Sequence, residues 1–335
     1  MSTKRDKFVE LAEKRVNKAM HAIRLIGNLS NRNFYEYDEP DVKQLTKALE
    51  SELETMRRRF SDETKKKNKV FKLKWAKFMN IESLFNQLYA ANSEHEVTAV
   101  LEGFENEPSI EWKPYGDNQS NFGVMEAQQA DPVSALVEKI TNSIDAILMK
   151  RCLEEGIDPK SKAAPRSVDE AVQTFFPKSD NWDLDGFRRE QAESLQIIAA
   201  GKKTDTSLIV YDDGEGQHPK DFEGTFLSLL RGNKTEIQFV QGKYNMGGAG
   251  AIVFCGKNKY QLVASKKADG TGNFGFTLVR RHPLTPEEKQ TRRSTWYEFL
   301  TISGTIPNFP IDALDLGLHD RLFKTGSILK LYSYQ

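Results

Sequence analysis

Cysteine is scarce in this sequence of 335 residues, where Cys152 and Cys255 are the only two. Neither lies in the paired spacing of a zinc module, so a Cys-rich zinc site and a disulfide framework are both excluded. The five histidines are isolated from one another, and no HExxH-type metal site occurs. Long apolar runs are also missing, since none approaches the roughly 18 residues that cross a bilayer. We therefore expect no membrane contact.

Two further absences narrow the class of protein. The first seven residues lack the apolar stretch of a signal peptide, so we expect a cytoplasmic protein. No GxxxxGK[ST] phosphate loop occurs anywhere in the chain, which excludes a Walker-type site. The remaining composition, 38% apolar and 29% charged, is typical of a soluble globular protein. At roughly 150 residues per domain, the length predicts about two domains.

The formal net charge of zero is the sum of two unlike parts. Residues 1–80 contain 20 basic and 12 acidic side chains, a net charge of +8. Residues 81–335 contain 28 basic and 36 acidic side chains, a net charge of −8. This asymmetry makes the N-terminal part a candidate for contact with a polyanion.

Residues 1–100 are predicted to form a basic, helical N-terminal module. Apolar residues at three- and four-residue steps predict an amphipathic helix over residues 4–26. A narrow apolar stripe predicts a second helix over residues 42–56, and a short helix near residues 81–88 completes the module. The stripe over residues 42–56 is also suited to dimerisation.

The segment Arg57–Lys77 is the most basic part of this module. It contains ten basic and two acidic residues, with Phe71 and Trp75 interleaved. Such a segment could hold nucleic acid through phosphate contacts. The alternative is a solvated surface that balances the acidic remainder of the chain.

Residues 101–335 are predicted to form an α+β domain, a two-layer α/β sandwich. Residues 155–205 are rich in Pro, Asp, Lys and Ser, and we interpret them as an insertion with helical pieces near 167–176 and 187–200. Apolar and alternating runs predict five strands, at 207–211, 260–265, 274–280, 295–300 and 327–332.

A predicted helix that starts after Asp131 and runs to about Cys152 carries the first candidate motif. Glu138, Asn142 and Asp145 fall on one narrow stripe of this helix. The opposite side is apolar and comprises Val133, Leu136, Ile140, Ile144 and Ile147. We expect the apolar side to pack on a sheet while the stripe faces outwards.

An Asn oxygen suits Mg²⁺, and a nearby carboxylate can polarise a water for attack on a phosphoryl group. A solvated polar face is the alternative.

Two glycine-rich segments are the other candidate motifs. Asp212-Asp213-Gly214-Glu215-Gly216 follows a strand, and its glycines permit a tight turn and a close approach of the backbone. Asp212 could accept a hydrogen bond from a ligand amino group. The segment Gly242–Gly250 could bind phosphate through free backbone N–H groups. Each segment alone also fits an ordinary turn without a ligand.

Together these motifs resemble those of the GHKL ATPases, a superfamily that includes gyrase, heat-shock chaperones, histidine kinases and mismatch-repair proteins. The motifs run in the order Glu138-xxx-Asn142-xx-Asp145-Ala146, Asp212-x-Gly214-x-Gly216, a glycine-rich lid, and Gly326-Ser327 at the final strand. The resemblance covers about residues 120–335. It implies the two-layer Bergerat ATP-binding fold, with ATP and Mg²⁺ as ligands.

The resemblance implies a role for each motif residue. Glu138 corresponds to the general base that orients the attacking water, and Asn142 to the Mg²⁺ ligand that reaches the phosphates. Asp212 corresponds to the carboxylate that accepts from the adenine amino group. The other residues implied to contact the nucleotide are Asp145, Ala146, Gly214, Gly216, Lys243, Gly247, Gly248, Gly250 and Ser327.

The implied activity is Mg²⁺-dependent ATP binding with slow hydrolysis, in which closure of the lid drives a conformational or dimerisation switch. The family also suggests a homodimer formed on ATP binding and a place in a DNA-processing or antiviral genome-defence system. The alternative is a nucleotide-gated binding module with negligible turnover, which acts on a protein or nucleic-acid partner. Two features depart from the family pattern: the long insertion at 155–205, and Ser327 where Thr is usual.

Overall fold

The computed structural model describes residues 3–31, 34–60, 80–104, 107–128, 131–177, 192–229, 236–242 and 250–335, with only the backbone for residues 58–60. The chain divides into two compact units, Met1–Asn80 and Ile81–Gln335. Among the described residues, no helix is long and apolar enough to cross a membrane.

The described part of the first unit consists mainly of two helices. α1 spans Lys4–Gly27 and begins with a capping box. In this box the Thr3 side chain accepts from the Asp6 N–H, and the Asp6 carboxylate accepts from the Thr3 N–H. α2 spans Glu39–Phe60. Both helices are confirmed as predicted.

Most of the basic segment Arg57–Lys77 lies outside the described residues, which stop at residue 60 and resume at residue 80. Its first four residues form the end of α2. Contact between this segment and nucleic acid therefore stays a prediction.

The second unit is built on one sheet, as the predicted α+β class requires. Its strands are β1 (Ile110–Pro114), β2 (Leu195–Lys202), β3 (Asp205–Asp212), β4 (Gln261–Lys266), β5 (Phe274–Arg281), β6 (Tyr297–Ile302), β7 (Asn308–Phe309) and β8 (Gly326–Leu331). The order across the sheet is β1-β6-β5-β4-β8-β3-β2, with β7 paired to β5. Every strand pair among the described residues is antiparallel. The five predicted strands are confirmed as β3, β4, β5, β6 and β8.

Helices precede the sheet strands in sequence and also connect them. In the described part of this unit they are α3 (Ile81–Ala90), α4 (Glu94–Glu102), α5 (Phe122–Glu126), α6 (Pro132–Glu154), α7 (Val168–Phe175) and α8 (Pro286–Thr291). α7 confirms the helical piece predicted near residues 167–176.

Helices pack on both faces of the sheet. Side chains alternate along a strand, so Lys330 and Leu329 of β8 lie on opposite faces. On the first face, Lys330 Nζ donates to the carbonyl of Tyr89 in α3. On the second face, Leu329 shares a cavity wall with Lys139 of α6. The predicted two-layer arrangement is therefore corrected, because α3 adds a layer on the face opposite α6.

α3 and α4 belong to the second unit, so the division lies after residue 80 and not at residue 100 as predicted. Leu84 and Phe85 of α3 are fully buried. The Phe85 ring centroid lies 4.8 Å from that of Phe274 in β5. Because burial of apolar surface is the main driving force for folding, these residues fold with the sheet and not with the basic module.

Residues 192–194 are helical, as predicted for part of 187–200, and residues 187–191 lie outside the described residues. Residues 195–202 form strand β2, which corrects the end of that predicted helix and shortens the insertion predicted over 155–205. β2 lies at the edge of the sheet and pairs with β3 along its whole length. Ile197 and Ile198 are β-branched and suit a strand. The pairing with β3 supplies the backbone hydrogen bonds that a local pattern does not reveal.

We expect Leu84→Ala to destabilise the second unit by about 2–5 kcal/mol, because it removes fully buried atoms and leaves a cavity. Leu322→Ala is a matched control, since this side chain is 48% exposed and its loss should cost about 0.5 kcal/mol or less. Denaturant unfolding of both variants measures the difference. Equal costs would contradict the place of α3 in the core.

Candidate functional site

The candidate site lies between α6 and the sheet face that carries Val263 and Leu329. α6 begins as predicted, with Asp131 as the N-cap and Pro132 as the first helical residue. Asp131 Oδ1 accepts from the Ser134 N–H at 2.9 Å, which satisfies a free N–H at the helix start. The start of α6 is therefore fixed by local sequence.

The side of α6 that faces the sheet is not the apolar one, so that prediction was wrong. Val133 is 69% exposed and Ile144 is 42% exposed. The buried residues of α6 are Ala135, Lys139, Ser143, Asp145, Leu148, Met149 and Cys152. Small residues allow a close approach of the helix, and polar residues on this side form hydrogen bonds to the adjoining loops.

Asp212, the last residue of β3, is held in a fixed orientation. Its side chain is only 6% exposed. Ser143 Oγ donates to Asp212 Oδ2 at 3.0 Å, and the Gly214 N–H donates to Oδ1 at 3.0 Å. A buried carboxylate needs such donors, and here they come from α6 and from the turn that follows β3.

The turn after Asp212 lies directly against α6. The Glu215 N–H donates to the Ala146 carbonyl at 2.9 Å. A Cβ atom on Gly214 would lie 2.5 Å from the Ala146 Cβ, which is too close for any side chain. Glycine is therefore required at position 214 because the turn lies so close to the helix.

On the outer side of the turn, Asp213 joins three elements. Its Oδ1 accepts from Lys150 Nζ at 2.7 Å and from Thr325 Oγ1 at 3.1 Å. Its Oδ2 accepts from Arg321 Nη2 at 2.8 Å. These charged side chains are partly buried, so salt screens them less than exposed pairs. Asp213 thereby anchors the turn to α6 and to the segment before β8.

β8 brings the last predicted motif beside Asp212. Ser327 is the register partner of Asp212 on one side and of Ser265 on the other. Gly326 has a φ angle of +101°, and a Cβ atom there would collide with the Asp212 carbonyl oxygen. Glycine is required at this point because L-residues with a side chain rarely adopt such a backbone conformation.

These elements surround a cavity of about 130 Å³. The predicted site residues that line it are Asn142, Ala146, Asp212, Gly216 and Ser327. Sites that enclose a drug-sized ligand commonly have volumes of about 300–1,000 Å³. The described walls therefore suit one ring system and not a whole nucleotide. Larger grooves of about 570 and 800 Å³ lie elsewhere in this unit and contain none of the five residues.

A buried cation forms part of the cavity wall. Lys139 is 1% exposed, and burial lowers its pKa to about 8, while Glu138 and Cys255 oppose this shift. Burial also raises the pKa of the Cys255 thiol to about 12. Near neutral pH the lysine is therefore largely protonated and the thiol is neutral.

Asp145 holds the start of the glycine-rich segment in place. Both its carboxylate oxygens accept from the Gln241 N–H at 3.0 Å, and Oδ2 accepts from the Gly242 N–H at 2.7 Å. Asp145 is 1% exposed and does not line the cavity. A Cβ atom on Gly242 would collide with Asn142 Oδ1, so this segment begins directly at Asn142. The structure therefore gives Asp145 a positioning role.

The remaining predicted site residues lie away from the cavity wall or outside the described residues. Glu138 lies four residues before Asn142 on α6, and neither Glu138 nor Gly214 lines the cavity. Gly250 is the N-cap of the short 3-10 helix Ala251–Phe254. The predicted lid residues outside the described part are Lys243, Gly247 and Gly248.

Sequence reasoning did not assign six polar residues of the cavity wall to the site: Lys139, Ser143, Glu215, Gln217, Thr225 and Gln261. Ser143 directly follows the predicted ligand Asn142, so its position in the sequence could have indicated a site residue. Nothing in the sequence indicates that Lys139 is buried at the site, because a lysine in a helix is usually exposed. Gln261 begins an apolar strand, is 4% exposed, and its Oε1 has no hydrogen-bond partner among the described residues.

The residues present fit a magnesium ion that arrives with a phosphorylated ligand. Among the described residues, no group of three or more His, Cys, Asp or Glu side chains could hold a metal ion. Mg²⁺ commonly takes one or two protein ligands and completes its shell with phosphate oxygens and water. The Asn142 side-chain oxygen suits such a sparse protein contribution.

We expect Gly214→Ala to destabilise the second unit by about 1–3 kcal/mol, because the new methyl group overlaps Ala146. Gly123→Ala is the control, since a Cβ atom at this α5 position meets nothing within 4 Å. Thermal unfolding of both variants tests this expectation. An unchanged stability for Gly214→Ala would refute the tight contact between the turn and α6.

No protein-family model matches this chain. A search of curated proteins also gives no match.

Proposed function

We propose that the second unit binds ATP with Mg²⁺ and hydrolyses it slowly, as a GHKL-type ATPase with a Bergerat fold. The observation that carries this proposal is the cavity under α6. Residues of three motifs line this one cavity although the motifs lie far apart in sequence: Asn142 and Ala146, Asp212 and Gly216, and Ser327. If the short motifs resembled those of the family only by chance, there would be no reason for their residues to line the same cavity.

The base of the nucleotide would occupy the 130 Å³ cavity, where Asp212 accepts a hydrogen bond from the adenine amino group. Asp212 suits this role because Ser143 and Gly214 fix its carboxylate. Val263 and Leu329 offer apolar contact to a planar ring. A fixed buried acceptor rejects analogues that lack the matching donor, since the acceptor would then be left unsatisfied.

The phosphates would extend towards Asn142 and Gly242, where the glycine-rich segment begins. Backbone N–H groups of such segments bind phosphate oxygens. Asn142 would hold Mg²⁺, and a bound magnesium ion supplies neutralisation of phosphate charge. Asp145 supports this arrangement by holding the Gly242 N–H, which keeps the segment at Asn142.

Glu138 would orient the attacking water and accept its proton. It lies four residues before Asn142 on α6, so both residues are on the same side of the helix. Phosphoryl transfer depends mainly on positioning and on charge stabilisation. Turnover is therefore expected to be slow, because the glycine-rich lid has to close before these groups are arranged.

The ATP cycle would serve as a conformational switch. From the family resemblance we infer that lid closure is coupled to homodimer formation and that the protein acts in a DNA-processing or antiviral genome-defence system. The segment Arg57–Lys77 would then supply contacts to nucleic acid, with an affinity that falls as salt rises.

We expect Asp212→Asn to weaken binding of Mg²⁺-ATP at least about tenfold. The amide presents a donor where the adenine amino group needs an acceptor, and a buried unsatisfied group is costly. Asp205→Asn, at the opposite end of β3, is the matched control and should leave affinity unchanged. Isothermal titration of the three proteins measures the effect. Equal affinities would rule out Asp212 as the base-binding residue.

We expect Glu138→Ala to retain ATP binding and to lower phosphate release by about 10²-fold or more, because it removes the general base. Glu155→Ala, just after the end of the same helix, is the matched control. Binding and phosphate release are measured on the same preparations. Full turnover in Glu138→Ala would exclude the catalytic role. ATP binding without turnover in the natural sequence would instead identify a nucleotide-gated binding module.

A further inference from the structure

The first unit presents two amphipathic helices with exposed apolar sides. On α1, Val16 is 54% exposed and Ile23 is 50% exposed, and no described residue of this helix is buried. On α2, Leu49 is 39% exposed and Leu53 is 49% exposed. Isolated helices are marginal in water, and most helical stability in proteins comes from packing of the apolar side. Both helices therefore need a surface to pack on.

The two helices differ in charge. α1 contains seven basic and three acidic side chains, whereas residues 39–56 of α2 contain two basic and five acidic ones. Arg15 follows Leu11 by four residues and so flanks the apolar side of α1. Glu52 follows Leu49 by three residues and flanks the apolar side of α2. Opposite charges beside an apolar seam determine which helices pair.

The two helices also match in length. α1 has 24 residues and α2 has 22, so at about 1.5 Å per residue they differ by only about 3 Å. One helix can therefore cover the other along nearly its whole length. α2 of the same chain does not provide this cover, since α1 has no buried residue.

We propose that α1 of one chain packs on α2 of a second copy, so that the first units form a homodimer through two equivalent α1–α2 contacts. Each copy carries both halves of the contact, and a two-fold arrangement satisfies both at once. Contact between two α1 helices is disfavoured because it joins two surfaces of net positive charge. This dimer joins the first units, does not involve the nucleotide site and forms without nucleotide, so it is a separate contact from the ATP-dependent association proposed above.

Light scattering during gel filtration, without nucleotide, tests the dimer directly. The expected mass is twice 38.1 kDa. Ile23→Glu and Leu49→Glu should each raise the dimer dissociation constant at least about tenfold, because a charge enters the apolar seam. His21→Glu lies on the opposite side of α1 from Ile23 and should leave it unchanged. A monomer at every concentration would overturn the proposal, and so would equal effects of Ile23→Glu and His21→Glu.

Cross-linking identifies the pairing and does not depend on destabilising variants. Cys152 and Cys255 are buried, so introduced cysteines on the helices can be addressed selectively. Val16→Cys and Leu49→Cys lie near the midpoints of α1 and α2 and so meet in either helix orientation. A short bismaleimide should link a mixture of the two single variants into dimers, and link either variant alone much less.

Two results would overturn the pairing. Efficient links within the Val16→Cys variant alone would show α1 against α1. Links that form only in a variant carrying both Val16→Cys and Leu49→Cys, and that leave it at monomer mass, would show that each chain covers its own α1. ATP affinity measured on the same proteins is independent of all these outcomes, so a failure of the dimer and a failure of the nucleotide site remain distinguishable.

Discussion

The hydrogen bonds to the Asp212 carboxylate are the constraint on which the candidate site depends. A carboxylate that is only 6% exposed is strongly destabilising unless donors surround it. Ser143 supplies one donor from α6, and Gly214 supplies the other from the turn after β3. The bond from Ser143 can form only if α6 lies close to the end of β3. The separation between helix and sheet is therefore set by this group.

This close approach explains why helical periodicity misled the assignment of the α6 faces. The periodicity correctly groups residues that share a side, because 3.6 residues per turn is a local property of the helix. The side that meets the sheet is decided by partners distant in sequence. At α6 those partners are Asp212 and the tight turn at Gly214, which require small or polar residues. The apolar residues Val133 and Ile144 are left outside.

The same distinction separates the strands that the sequence predicts from those it does not. β4 and β5 are apolar runs joined by a turn, so their own residues are enough to predict them. β2 contains Ala199 and Ala200, which suit a helix, and becomes a strand because β3 pairs with it. α3 was assigned to the basic module by its position in sequence, whereas burial of Phe85 against the sheet decides where it folds.

The polar lining under α6 is the part of the second unit that folding alone does not explain. Replacement of buried polar or charged groups by well-packed apolar residues is often neutral or stabilising, and protein interiors contain few voids. This chain nevertheless keeps Lys139, Gln261 and Asp212 around a cavity of about 130 Å³, and Gln261 Oε1 has no partner among the described residues. Local departures from good packing are expected where a ligand binds. This cavity, with its buried polar groups and empty volume, is also the place where the motif residues lie together. That coincidence favours a ligand there.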